Sequence, residues 1–298
     1  EGLQCKWREG IYKEMEKMIN NTIPSFLKLW ESNDVELAVL NQYFTSHPEI
    51  FEEYFKYHCP KTKERLSNAI NLYPAKIEDI RIIAESLPII IQEVTNEYHN
   101  KFKCDVKMKF HLFVGGFGSN AFVEREIIGD MFFAAEKLSP DLNHLRVIVA
   151  HEIGHIYHNV MLQNDGMDWR KAEWADATVN LYREGVATYL SKQIMKGLNE
   201  SVYYSYDNDG ERWLQCYIEN EKHIKKRFLE DYIEGWTFEK EKEWFRLSGG
   251  QYFGYNRLGY FLGTAFVEYV VQAWGESEVF TFWNKHNLKS SVLDWLSK

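Results

Sequence analysis

Long apolar runs are missing from this 298-residue chain. None reaches the roughly 20 residues that a helix needs to cross a bilayer, so no transmembrane segment is expected. Concentrated positive charge is missing too. The formal net charge is −9, and the best basic run, Lys222-His-Ile-Lys-Lys-Arg227, has acids on both sides. Phosphate binding needs dense Lys and Arg, so nucleic acid is excluded as the main partner and the run reads as a solvated helix face. Cysteine is scarce. Cys5, Cys59, Cys104 and Cys216 contain no C-x-x-C pair, which removes zinc knuckles and dithiol redox motifs. Four Cys permit two disulfides outside the cell or four thiols inside it, so secreted and cytoplasmic locations both stay open. No repeat, low-complexity tract or flexible linker is present. The length suffices for one large domain or two lobes around a core, and aromatics make up 16% of residues.

The pattern predicts three regions. Residues 1–102 read as helical. One face runs through Ile11, Met15, Met18, Ile19 and Ile23 and ends near Pro24; Val35 to Phe44 and Pro48 to Tyr57 continue it, and a long helix from about Ile77 to Tyr98 is interrupted by Pro88. Residues 103–200 open with Lys103 to Val114, where Val106, Met108, Phe110, Leu112 and Val114 alternate with polar residues as a half-buried strand would. Gly115-Gly-Phe-Gly118 breaks that run, and Asn120 to Val123 and Ile127 to Ala135 read as further strands. The glycines read as a turn that also lets a backbone approach closely. Residues 201–298 return to helices, near Glu211 to Leu229, Phe238 to Leu247 and Asn256 to Trp274. The expected class is α+β, mostly helical, with a small sheet.

Between sheet and C-terminal helices lies Val147-Ile-Val-Ala-His151-Glu152-Ile-Gly-His155-Ile156, an H-E-x-x-H segment. The five letters also arise by chance, so their context decides. Ser139-Pro140-Asp141 reads as a helix start, and Leu142, Leu145, Val149 and Ile156 recur at helical spacing. On such a helix positions i and i+4 share a face, so His151 and His155 can present two imidazoles to one zinc ion, Zn2+, per chain. Glu152, beside them, is placed as general base for a zinc-activated water.

A third ligand is expected downstream. Gln163 to Gly166 reads as a loop, and a second helix from about Ala172 to Met195 puts Ala177, Leu181, Glu184 and Thr188 on one face. An acid on an apolar face is an ion pair or a ligand, and two zinc imidazoles lack a third partner, so Glu184 is the expected ligand, with Asp165, Asp176 and Glu173 as substitutes. His144 and His158 read as structural.

With these residues in place, the segment resembles the gluzincin branch of zinc metallopeptidases, in which H-E-x-x-H is completed by a Glu on a later helix. Arg183-Glu184-Gly-Val-Ala-Thr-Tyr-Leu-Ser191 is similar to the E-G-x-A-x-Y-x-S segment of predicted bacterial zinc proteases, and Asn120-Ala121-Phe122 to the edge-strand Asn-Ala of thermolysin-like enzymes. The likeness covers about residues 103–270. It implies a zincin-like fold and a zinc-dependent peptidase acting on peptide or protein, with endopeptidase preferred to aminopeptidase. Gly118, Asn120 and Ala121 would bind an extended substrate. It further implies an oxyanion donor from the helical lobe. Tyr260, in Gly259-Tyr-Phe-Leu-Gly263, resembles the Gly-Tyr-x-x-Gly helix of the same proteases, with Tyr252, Tyr255 or His223 as substitutes. Two departures stand out: Thr188 occupies the place where thermolysin-like enzymes carry an Asp, and the residues after His155 lack the Gly and third His of metzincins. The rival from another class is a zinc-binding scaffold without chemistry.

Overall fold

The computed structural model describes residues 18–32, 36–124 and 126–298. These are mostly helical with one four-stranded mixed sheet, an α+β architecture. The chain divides into two compact units, one up to Glu152 and one from Ile153 onward. No helix among the described residues is long and apolar enough to cross a membrane.

In the first unit, strand β1 (Ile19–Asn21) leads into helices α1 (Ile23–Ser32), α2 (Leu37–Ser46), α3 (Pro48–Glu53), α4 (Lys63–Leu72) and α5 (Ile77–Phe102). Strands β2 (Phe110–Phe113), β3 (Ala121–Val123) and β4 (Met131–Ala134) follow. The sheet order is β1-β2-β4-β3, with β2 parallel to both β1 and β4, and β3 antiparallel at the edge. Phe26, Tyr43, Phe44, Phe51, Tyr54 and Phe113 interlock as an aromatic core, mostly edge to face, the arrangement the ring quadrupoles favour.

Several expectations need correction here. Ile11, Met15 and Val35 lie outside the described residues, and Ile19 does not extend a helical face. Ile19–Asn21 is a strand whose residues pair with Phe110, His111 and Leu112. A β-branched Ile and two Asn gain little from a helix, so ladder pairing wins over the periodicity. Pro24 stands in the first turn of α1 rather than at a helix end, where a missing N–H costs no helical bond. The Lys103–Val114 alternation yields a strand only at Phe110–Phe113, and all four of its residues are buried. As an inner strand, β2 is covered on both faces and has no polar side to show. The Ile127–Ala135 strand likewise shrinks to Met131–Ala134.

Pro88 does not interrupt α5. A proline there removes the donor that would have reached the Ala84 carbonyl four residues back. Asn21 Nδ2 donates to that carbonyl instead, at 3.3 Å. A side chain from β1 thus repairs the helix.

Helix α6 (Leu142–Asn164) begins in the first unit and ends in the second, running past the start of the expected Gln163–Gly166 loop. Its cap is Asp141, not Ser139: Asp141 Oδ1 accepts the amides of Asn143 at 2.8 Å and His144 at 3.2 Å. A carboxylate suits the positive helix end better than a hydroxyl. Ser139 instead pairs its hydroxyl with His144 Nδ1 at 2.8 Å.

The second unit contains α7 (Ala177–Ile194), α8 (Glu211–Ile233), α9 (Phe238–Phe245), α10 (Leu258–Trp274) and α11 (Leu288–Leu296), joined by shorter turns. Helix α7 starts five residues later than the pattern predicts. Asp176 caps it by accepting from the Thr178 amide and hydroxyl at 2.8 and 2.6 Å. Helices α7 and α10 touch backbone to backbone. A Cβ on Gly185 would overlap the Gly263 carbonyl, and one on Gly263 would overlap the Leu181 carbonyl. Only glycine at both positions permits that approach.

Candidate metal centre

The register of α6 puts His151 and His155 one turn apart, and α7 supplies Glu184. The three form a group whose ligand atoms all lie within 4.8 Å of one another, and this group could hold a metal ion. His151 and His155 are buried, and the Glu184 side chain is 22% exposed. His155 Nε2 stands 3.4 Å from Glu184 Oε2. Ligand atoms around a four-coordinate ion with bonds of about 2.1 Å are separated by about 3.4 Å, so the spacing of the His155 nitrogen and the Glu184 carboxylate suits such an ion. The group has three members among the described residues.

The neighbours of this group explain their own residue types. Ala177, Leu181 and Thr188 are fully buried on α7, as the predicted apolar face requires. The Thr188 hydroxyl has no hydrogen-bond partner among the described residues. His158 is fully buried with its ring edge-on to Tyr182 at 5.2 Å. Burial, with Arg183 and His155 nearby, holds its pKa well below the usual histidine range and keeps the ring neutral. The substitute ligands lie outside the group. Asp165 accepts from Asn284 Nδ2 at 2.8 Å. Asp176 caps α7 and takes the Tyr232 hydroxyl at 2.8 Å, and Glu173 lines an open cleft of about 580 Å³ with Trp174, Asp176, Tyr232, Trp236 and Lys289.

Tyr260 lies in the first turn of α10, three residues before Gly263 and so on the same face as the glycine pressed against α7. Gly259 meets Phe245 and the Trp244 carbonyl, and Gly263 meets α7. The close approach these glycines permit is therefore between helices. Tyr252 is exposed and carries the Arg227 guanidinium 4.4 Å from its ring centre. His223 lies on α8 within the basic run, whose neighbours Lys225, Lys226 and Arg227 pair with Glu221, Glu230 and Asp231.

In the first unit, β3 is the edge strand. Asn120 O and Glu124 N bond toward β4, so by antiparallel alternation the main-chain groups of Ala121 and Val123 face outward. The outward Ala121 N–H is held by its own neighbour, Asn120 Oδ1, at 2.9 Å. The glycine loop before β3 is turned inward. Gly116 and Gly118 donate their amides to the Tyr54 hydroxyl at 3.0 and 2.9 Å. Gly115 and Phe117 donate to the Glu136 carboxylate at 2.8 and 3.1 Å, and the Tyr73 hydroxyl donates to Gly115 O at 2.6 Å. Glu136 is 1% exposed, and burial pushes its pKa up to about 7 against the pull of those amides. The glycines are thus accounted for by the chain's own tyrosines. Sequence reasoning passed over Glu136, although an acid amid Ala134, Ala135 and Leu138 is the same signal that picked out Glu184.

Cys59 and Cys216 are free thiols; Cys5 lies outside the described residues. In comparisons with known proteins, no family model, no curated protein and no solved structure matches the chain.

Proposed function

We propose that this chain is a zinc-dependent peptidase, and that it cuts within peptides rather than trimming amino termini. The observation that carries the reading is the His151, His155 and Glu184 group, with 3.4 Å between imidazole and carboxylate and Glu152 next in the chain to His151. Two imidazoles and one carboxylate are the ligand set of catalytic zinc sites, and a three-membered group leaves a position open, whereas structural sites usually close it with a fourth Cys or His. That difference favours the enzyme over the scaffold. Zinc bound there would supply a Lewis acid that polarises the peptide carbonyl and acidifies water.

The remaining roles belong to side chains. Glu152 takes the proton of the attacking water and returns it to the leaving amine. The Tyr260 hydroxyl donates to the carbonyl oxygen as negative charge develops on it. The outward edge of β3, near Asn120 and Ala121, aligns an extended peptide as an added strand, while Gly118, expected to join it, is turned inward onto Tyr54. The test pairs metal analysis of the purified protein with a mixed-peptide digest read by mass spectrometry, on the unsubstituted chain and on Glu152→Gln. About one zinc per chain is expected in both, with internal cleavages from the first and turnover lower by about a thousandfold in the second. Absence of bound metal, or equal digestion by both proteins, overturns the reading; products trimmed only from the amino terminus convert it to an aminopeptidase.

A further inference from the structure

Arg257 precedes α10 and is 6% exposed, yet its buried Nε–H has no hydrogen-bond partner among the described residues. Its guanidinium lies against three aromatic rings, 5.4 Å from the centre of Tyr206, 5.2 Å from Trp213 and 5.5 Å from Tyr260. Ring faces attract a cation, but they accept none of its five N–H groups. A charge so enclosed is ordinarily paired, because burying it alone is costly. The other buried cation-rich cluster of this unit obeys that rule: Asp231, fully buried, is met by Arg227, Lys240 and the Trp244 indole N–H.

Neither α10 nor α9 offers it a free acid. The first turn of α10 contains no acid, and its N-cap position has no side-chain cap. Glu243 in α9 already accepts the amides of Gly250, Gln251 and Tyr252, at 2.8, 2.8 and 2.9 Å. The positive end of α10 and the Arg257 fork therefore coincide with no free acid from α9 or the first turn of α10. Arg257 also sits at φ 53°, a left-handed conformation that costs a non-glycine residue energy and is kept where the surroundings impose it.

We infer that Arg257, with the first turn of α10, is a receptor for a carboxylate of a bound peptide, the guanidinium taking both oxygens in a bidentate pair. The planar fork matches a carboxylate, and the three rings hold it flat and pre-oriented. This inference rests on the peptidase reading for the identity of the ligand. Arg257 is six residues from Gly263, about 9 Å along the helix, which is the span of about three extended residues of peptide. The bond to be cut can therefore lie near Glu184, beside the α7–α10 contact, while the carboxylate rests on Arg257. Two sources supply that chemistry: the carboxyl terminus of the peptide, or an Asp or Glu side chain within it.

The experiment measures binding, not turnover, on zinc-loaded Glu152→Gln protein by calorimetry. One peptide pair differs only in a free carboxyl terminus against its amide, and a second only in an internal Glu against Gln. At least tenfold tighter binding of the acid is expected in one pair, and which pair shows it identifies the source; equal binding within both pairs overturns the proposal. Adding Arg257→Gln is expected to abolish the preference while leaving the neutral peptide bound as before, and a preference that survives also overturns it. If Arg257→Gln does not fold, Arg257→Lys keeps the charge without the fork and is expected to cut the preference several-fold, with an unchanged preference again decisive against. Failure of the peptidase reading is separable. A chain that hydrolyses no peptide can still be titrated with succinate while the Arg257 Nε–H resonance is followed by NMR; a shift keeps the carboxylate receptor, and no shift removes it.

Discussion

Two acids sit among apolar neighbours, Glu136 in the first unit and Glu184 in the second, and opposite kinds of partner hold them. Glu136 faces two backbone amides, Gly115 and Phe117, within a cage of tyrosines that fixes the glycine loop. Glu184 faces an imidazole at 3.4 Å, with a second imidazole in the same group. Amides are fixed donors that no ion replaces; imidazole nitrogens are ligands in their own right. An acid in an apolar run therefore signals a site only when its neighbours can also ligate.

The comparison is broken most severely at Glu184. Losing a group that merely supports a metal ligand costs ten- to a hundredfold in affinity, so if Glu184 is a ligand as proposed, Glu184→Gln is expected to cost well beyond that, read as metal retained against a chelator series. If Glu184→Gln keeps full metal affinity, Glu184 is structural like Glu136.

The next largest effect belongs to Glu136 and depends on pH. Its pKa is raised by burial from an ordinary 4.5 to about 7, so the folded chain binds more protons than the unfolded one between those values. The stability it contributes is full below pH 4.5 and is lost as pH rises through 7, by on the order of 3 kcal/mol. His158, whose pKa burial lowers, works in the other direction as pH falls below 6.5. The telling measurement is therefore the difference in unfolding free energy between the unsubstituted chain and Glu136→Gln at pH 5 and pH 8. A difference that does not change with pH removes the claim.

At pH 5 the same substitution has a smaller, static cost. It turns an amide N–H2 toward a backbone N–H that had an acceptor, which is worth about 1–3 kcal/mol, and zinc affinity is expected to stay as it was. The smallest effect is at Thr188, four residues after Glu184, where the hydroxyl is buried without a partner. Thr188→Val is expected to leave metal affinity unchanged and stability equal or slightly higher. A tenfold loss of affinity would make Thr188 the group that orients a metal imidazole.

The residues of the metal group were legible in the sequence because each obeys a local rule: i, i+4 spacing for the two histidines, and an acid on a helical face for Glu184. Helices α7 to α10 were legible for the same reason, to within a few residues at their ends, whereas α11 (Leu288–Leu296) was not singled out. What escaped was set by distant parts of the chain. Ile19–Asn21 became a strand because Phe110–Leu112 lies beside it, and the alternation at 103–114 lost its solvent side because β2 is an inner strand. Arg257 looked ordinary, since only folding brings Tyr206, Trp213 and Tyr260 around it.

The repair of α5 at Pro88 bears on the order in which the first unit assembles. Helices of this length ordinarily complete their hydrogen bonds from within and so tend to form early, on local contacts alone. Here the Ala84 carbonyl waits for a donor 63 residues earlier in the chain, and that donor is in place only once β1 is laid beside β2. The middle of α5 and the first strand of the sheet are therefore expected to gain protection against amide hydrogen exchange together, as one cooperative unit, with Asn21→Ala loosening both at once.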